Sequence, residues 1–442
     1  MTGGGDPVGH PRGAMARLAL MSLAGTSIEW YDFFLYGAGA ALVFPTLFFP
    51  KELPATVALL ASYSTFAVGF IARPVGALAF GHIGDRLGRK LALAGALILM
   101  GCATTLIGCL PTYAEAGALA PALLVLLRFA QGLAIGGQWG GAMLLVVENA
   151  PPSRRGFYGA FAQVGAPVGV VLANLAFLSA SALAPGPAFL AWGWRAPFLL
   201  SVLLVALGLY VHFRIEDTSA FRELQRRAGG RATARAPVLE ALRTYPASIA
   251  LAAGSFIAVQ VIFYIVIVWS VSYASGAHGL GVPRSSILTS ILLAAGLLAP
   301  TNLLFGALSD RIGRRVVHML GAVLSAAYAF ALFPLLESRT IPGMAAALGG
   351  ALGLLGLMYG PQAALFSELF GTRLRYSGAS LGYQLGAILG GGLAPLIAEH
   401  LYARTHSTLG ISVYLALACF VSLLSVALLK ETAGTALNPT SA

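Results

Sequence analysis

Apolar residues run in twelve long stretches, near 18–46, 57–81, 92–110, 121–147, 157–183, 193–213, 246–273, 286–308, 316–335, 342–366, 377–400 and 410–429. About 20 apolar residues cross the hydrocarbon core of a bilayer. Only helices and closed barrels can span lipid, and these runs are too long and continuous for barrel strands. The pattern predicts an all-α polytopic membrane protein with twelve transmembrane helices. The first run continues too long for a signal peptide and lacks a small-residue cleavage site, so it is read as the first span. The longest polar stretch, 214–245, reads as a short amphipathic helix, a tether and another short helix. It is expected to be a cytoplasmic linker between an N-terminal half, 1–213, and a C-terminal half, 246–442.

The halves repeat one another. GHIGDRLGRK (81–90) follows the second span and GALSDRIGRR (306–315) the eighth, both of the form G-x-x-x-D-R-x-G-R-[KR]. Glu148 precedes Arg155 by seven residues, as Glu368 precedes Arg375, and a glutamine follows each pair, Gln163 and Gln384. Equivalent loops in equivalent places mean a duplicated six-helix unit, the plan of a rocking secondary transporter with its site between the halves. In each loop the aspartate, Asp85 or Asp310, stands at a helix end where a helix dipole favours an anion. The arginines Arg86, Arg89, Arg311 and Arg314, with Arg155 and Arg375, can pair with it or with Glu148 and Glu368. Such a cluster would latch the cytoplasmic side and break as the halves rock; ordinary surface ion pairs are the simpler alternative.

Composition agrees with the span pattern: 58% of residues are hydrophobic, 10% are charged and 54 are glycine. Soluble domains carry about 25% charged residues, and small residues let membrane helices approach closely. The net charge of +11 is a matter of topology and gives no reason to expect nucleic acid. Twenty Lys and Arg residues fall in the segments placed on one side with the N-terminus, and five fall in the opposite loops. By the positive-inside rule both termini are cytoplasmic. The three cysteines, Cys102, Cys109 and Cys419, form no metal-ligand pattern. No HExxH or P-loop is present, so neither an enzyme nor an ATP-driven pump is expected, and no cofactor.

The repeated loops resemble the signature of the major facilitator superfamily. Further stretches are similar to its metabolite:proton symporter branch, which takes up organic acids, proline and betaine. They are GTSIEWYDFFLYG (25–37), RPVGALAFGHIGDRLGRK (73–90), RFAQGLAIGGQWGGAMLLVVENAP (128–151), WGWRAPFLLS (192–201), MYGPQAALFSELF (358–370) and RYSGASLGYQLGAILGGGLAP (375–395). The resemblance covers nearly the whole chain. It departs at Gln138, where that branch often has Glu in GGEWGGA. An amide cannot carry a protonation role there. The resemblance also implies a role in energy coupling for Arg128, the arginine of the RFxQG segment.

Charges inside spans mark functional sites. Glu29 and Asp32 lie three residues apart on one helix face, roughly 18 Å of helix beyond Arg17. Two carboxylates so close in low dielectric do not both ionise easily, which suits the pair to taking up and releasing a proton. Arg73 and Arg128 can bind a substrate carboxylate with a bidentate fork or balance the two acids. Gln131, Gln138, Gln163, Tyr264, Asn302, Tyr359, Gln362 and Gln384 are candidates to complete a cavity, with Tyr31 and Trp139 shaping it; each alone is equally an interhelical hydrogen bond. GAPVG (165–169) partly resembles a proline-glycine motif of antiporters, and helix packing explains it as well.

The expected protein is a monomeric carrier in a bacterial inner membrane. It couples uptake of a small carboxylate-bearing metabolite, an organic acid or zwitterion, to inward proton flow. A proton-coupled exporter of the same fold and a non-transporting solute sensor are the alternatives.

Overall fold

The computed structural model describes residues 12–87, 89–136, 139–214, 237–276, 279–371 and 374–435. The described residues contain helices and no strand. The main helices are α1 (Arg12–Leu42), α2 (Ala55–Leu87), α3 (Arg89–Cys109), α4 (Leu119–Gly136), α5 (Trp139–Asn149), α6 (Arg155–Leu183) and α7 (Arg195–Arg214). After a short helix at Pro237–Thr244 come α8 (Pro246–Tyr264), α9 (Arg284–Ile312), α10 (Arg314–Leu336), α11 (Ile341–Tyr359), α12 (Gln362–Glu368), α13 (Arg375–Gly386), α14 (Ala394–Thr405) and α15 (Leu409–Leu428). Nine helices among the described residues are long and apolar enough to cross a membrane, and Ala94–Cys109 and Phe189–Leu203 are shorter apolar helices. Large apolar side chains such as Leu126, Leu203, Leu304, Leu417 and Leu428 face outward, as lipid contact requires.

Three runs that read as single spans are interrupted. The stretch 342–366 breaks between α11 and α12 at Gly360-Pro361, because proline lacks an N–H and disfavours helix at the preceding residue. The stretch 246–273 contains a π-turn at Ile265–Trp269, and 377–400 contains another at Ala387–Gly392. A run of apolar residues carries no sign of an inserted residue, so hydropathy alone misses such turns.

Packing repeats with the sequence. α1 lies on α6 as α8 lies on α13; α2 on α4 as α9 on α11; α3 on α7 as α10 on α15. α6 also packs along α9, and α2 against the π-turn at Ala387–Gly392. Close approach is built from glycine. Within GAPVG, Gly165 and Gly169 sit directly on Thr26 and Trp30 of α1, so helix packing accounts for that motif.

Candidate functional site

Two polar assemblies stand out, one at the middle of the bundle and one at the end carrying the repeated loops.

The central one starts from α1, whose Glu29-Trp30-Tyr31-Asp32-Phe33 run is buried throughout. Arg73 of α2 is fully buried and within electrostatic reach of Glu29. Its guanidinium carbon lies 4.1 Å from the Phe70 ring centroid and 4.6 Å from that of Phe33. None of its three side-chain nitrogens makes a well-formed hydrogen bond, although the Tyr264 hydroxyl lies beside it. Arg128 of α4 is also fully buried. It lies against Phe33, Tyr36 and Phe66 at 4.2–4.6 Å and donates to Gln131 Oε1 at 3.1 Å. Gln131 in turn donates to Thr104 at 2.8 Å. Desolvated cation–π contacts contribute about 2 kcal/mol each, which holds the cations in place; Arg128 also donates to the Phe66 carbonyl at 3.4 Å, leaving one of its nitrogens unbonded.

Asp32 is fully buried. The Ser201 hydroxyl lies beside it, but neither of its oxygens makes a well-formed hydrogen bond. Tyr31 points away from the bundle centre and donates to the Pro197 carbonyl at 2.9 Å. Gln163, Asn302 and Gln362 are buried with both amide atoms unbonded, as are the Tyr264 hydroxyl and Gln384 Oε1. Buried polar groups are ordinarily satisfied, and leaving one unmade costs about 1–3 kcal/mol. A concentration of them marks a place kept ready for another partner.

A cavity of about 10 Å³ is lined by Trp30, Ala166, Val259, Gln260, Phe263, Tyr359 and Tyr383. That is room for about one water molecule. Of the sequence candidates only Tyr359 is on its wall. Trp30, Gln260 and Tyr383 went unselected, although Gln260 was legible as an amide within an apolar span. Gln138 lies outside the described residues, as do the side chains of Trp139, Asp85, Arg86 and Arg89. Among the described residues, no group of His, Cys, Asp or Glu is arranged to hold a metal ion.

The second assembly explains the 306–315 motif residue by residue. Gly306 lets α9 meet α6: a Cβ there would lie 2.6 Å from the Gly156 carbonyl oxygen. Asp310 accepts hydrogen bonds from the Gly156 and Phe157 amides at 2.8 and 2.9 Å, at the positive end of the α6 dipole. Gly313 has φ 105° and makes the turn. Arg314 pairs with Asp310 at 2.7 Å and Glu368 at 3.4 Å, and Arg315 donates to the Val426 and Ala427 carbonyls. Arg375 pairs with Glu148 at 2.9 Å, and Arg155 approaches Glu368 at 3.9 Å. Arg311 is exposed. The helix that Asp310 caps is therefore α6, from the other repeat; the following helix, α10, is capped by Glu431, which accepts from the Arg314 and Arg315 amides. The segment after α15 closes over the cluster. Thr432 donates to Glu368 at 2.8 Å, and Arg155 donates to the Thr435 carbonyl at 2.7 Å.

Family models match both repeats: "Sugar (and other) transporter" over residues 18–241 and "Major Facilitator Superfamily" over residues 285–442. The inner membrane metabolite transport protein YhjE of Escherichia coli is 41% identical over 429 residues, covering 96% of each chain. The chain belongs to the major facilitator superfamily. The shikimate transporter of Escherichia coli is 40% identical over 424 residues, covering 94% of each chain. The superfamily fold is seen as well in the xylose transporter XylE in a partially occluded inward open conformation, with a TM-score of 0.73 at 17% identity, covering 96% of this chain and 99% of that one. As a member of the superfamily this protein is a membrane transporter of metabolites and not an enzyme.

Proposed function

We propose that the protein is a symporter that takes up a small carboxylate-bearing metabolite together with a proton, by alternating access between two six-helix halves, 1–213 and 246–442, joined by 214–245. The reading includes twelve spans, both termini on the cytoplasmic side of a bacterial inner membrane, and a functional monomer. The repeated packing described above supports the two-half division.

One observation carries the substrate reading. Arg73 is fully buried, held on aromatic faces, and has no well-formed hydrogen bond from any side-chain nitrogen, with only the Tyr264 hydroxyl beside it. A guanidinium so placed presents a fork to a planar carboxylate. Glu29 near Arg73 and the unbonded Asp32 supply the proton carriers, and Arg128 favours the charged form of a carboxylate as it approaches. Gln163, Tyr264, Asn302, Tyr359, Gln362 and Gln384 complete the binding surface as the cavity opens. The assembly of Asp310, Arg314, Glu148, Arg375, Arg155 and Glu368 is the cytoplasmic latch, with Asp85, Arg86 and Arg89 its counterparts in the first repeat.

The test is uptake into proteoliposomes of organic acids and of their amides or alcohols, with and without an inward proton gradient. Acids accumulate only with the gradient. Equal transport of the uncharged analogues would sink the carboxylate reading, and accumulation that ignores the gradient would sink the symport reading.

A further inference from the structure

At the end of the bundle remote from the Asp310 assembly, one hydrogen-bond chain crosses between the repeats. Tyr63 lies on α2, 22 positions before Asp85 in the sequence, roughly 33 Å along the helix. It is fully buried, and its hydroxyl lies 2.6 Å from Ser272 Oγ. Ser272 donates its own proton to the Trp269 carbonyl at 2.9 Å, so Tyr63 is the donor to Ser272. The Trp269 indole donates to Glu399 Oε2 of α14 at 3.0 Å. Glu399 is buried, at 7% exposure. The backbones are close here too: a Cβ on Gly37 of α1 would stand 3.2 Å from Val268.

Trp269 is the last residue of the π-turn at Ile265–Trp269. A π-turn holds one residue more than an α-helical turn, and relaxing it would rotate everything that follows. Ser272 lies three residues after it on the continuing helix, so its orientation depends on the turn being kept. The indole is clamped by stacking on Tyr273 at 4.8 Å, by the edges of Phe333 and Tyr402, and by the carboxylate.

We infer that Glu399 is a positioning residue for a second closure of the carrier: through Trp269 it keeps the π-turn in register and so presents the Ser272 hydroxyl to Tyr63. This rests on the alternating-access reading, in which the two ends of the bundle open in turn. The bond from Tyr63 fastens one end, and the main-chain cap by Asp310 fastens the other.

The full-length carrier, carrying Cys102→Ser, Cys109→Ser and Cys419→Ser with Ala166→Cys on the wall of the central cavity, is reconstituted and labelled with a membrane-impermeant maleimide from each face. Tyr63→Phe, Trp269→Phe and Glu399→Ala each raise the labelling rate from the remote face by about two- to tenfold, the effect of one hydrogen bond on a two-state population. Glu399→Gln labels at the parent rate, because its amide oxygen still accepts the indole N–H. Labelling of both Glu399→Ala and Trp269→Phe at the parent rate overturns the proposal, as does a Glu399→Gln rate equal to that of Glu399→Ala. Trp269→Phe keeps the aromatic packing, so it reads the bond even where Glu399→Ala fails to fold. The alternating-access reading fails separately: the parent would then be labelled at equal rates from both faces, whatever Glu399 does.

Discussion

Arg73 and Arg128 share one phenyl ring, with their guanidinium carbons 4.6 and 4.2 Å from the centroid of Phe33. Phe33 follows Asp32 directly and lies one turn beyond Glu29, so a single helical turn carries both acids and the ring on which both cations rest. Arg128 spends a hydrogen bond on Gln131, whereas Arg73 makes no well-formed one. Arg73 is therefore the substrate's partner in the proposed mechanism, and Arg128 the more firmly tied of the two cations. Arg73→Gln should weaken binding of an acid substrate about ten- to hundredfold, the value of a charge-assisted hydrogen bond. Affinity for the matching amide should change little. Half-saturation of counterflow for both compounds checks this, and a parallel loss for acid and amide would assign Arg73 to structure.

Proton coupling should run through Glu29 and Asp32, with Asp32 the more sensitive. Asp32→Asn should abolish accumulation against a gradient and leave counterflow partly intact, since exchange needs no net proton release. Glu29→Gln should do the same, or weaken binding as well because Glu29 neighbours Arg73. Accumulation and counterflow measured side by side in proteoliposomes decide the matter; wild-type accumulation in both variants would leave the proton path elsewhere.

Neutralising a latch aspartate should alter switching more than binding. Asp310→Asn should change the maximal rate several-fold with little change in affinity, because Asp310 bonds to the start of α6 and not to the cavity wall. Asp85→Asn should act alike. An affinity collapse at an unchanged maximal rate would refute the latch.

Gly156→Ala should hold the same end open. Its Cβ would meet the Gly306 carbonyl, Arg314 Nη1 and Ser309 Oγ, and a backbone carbonyl cannot move aside as a flexible side chain does. Protease or thiol access from the latch end should rise, with thermal stability lowered by about 1–3 kcal/mol through overpacking.

Glu431 gives a pH dependence outside the membrane. Its burial alone would raise the carboxyl, but four main-chain amides donate to it and hold it below the ordinary glutamate range. A lowered folded-state value stabilises the docked segment above the unfolded value of about 4.3 and loses that contribution as pH falls through the lowered value. Docking of residues 431–435 should therefore hold at neutral pH and loosen below about pH 4. A fluorescent label at Thr435→Cys reports it, and Glu431→Gln should remove the pH response.

Helix positions were legible because lipid imposes one simple rule on twenty-residue runs, and the cluster around Asp310 because its residues recur at matched spacings. Arg73 and Arg128 were conspicuous as lone charges in apolar surroundings. Glu399 escaped notice because it lies at the end of its apolar run, beside His400, where an acid looks like a loop residue. Its burial comes from Trp269 on another helix, and no local pattern records that pairing. The segment 431–435 escaped for a similar reason: its partners Arg155, Arg314 and Glu368 are distant in the chain. Trp30 reads as bulk beside Glu29, and only the fold sets it facing Tyr359.

Across the junction with α6, Asp310 takes both of its partners from the main chain; Arg314, on its own side, supplies the third. Any amino acid except proline supplies an amide at 156 and 157, so sequence drift at those positions cannot erase the donors, although size at 156 is restricted. The contact across to α6 is thus written in the genetic code as a single aspartate on one side and as backbone common to every protein on the other. Proline at 157 is the one coded replacement that would delete a donor there while leaving every charged residue of the assembly in place.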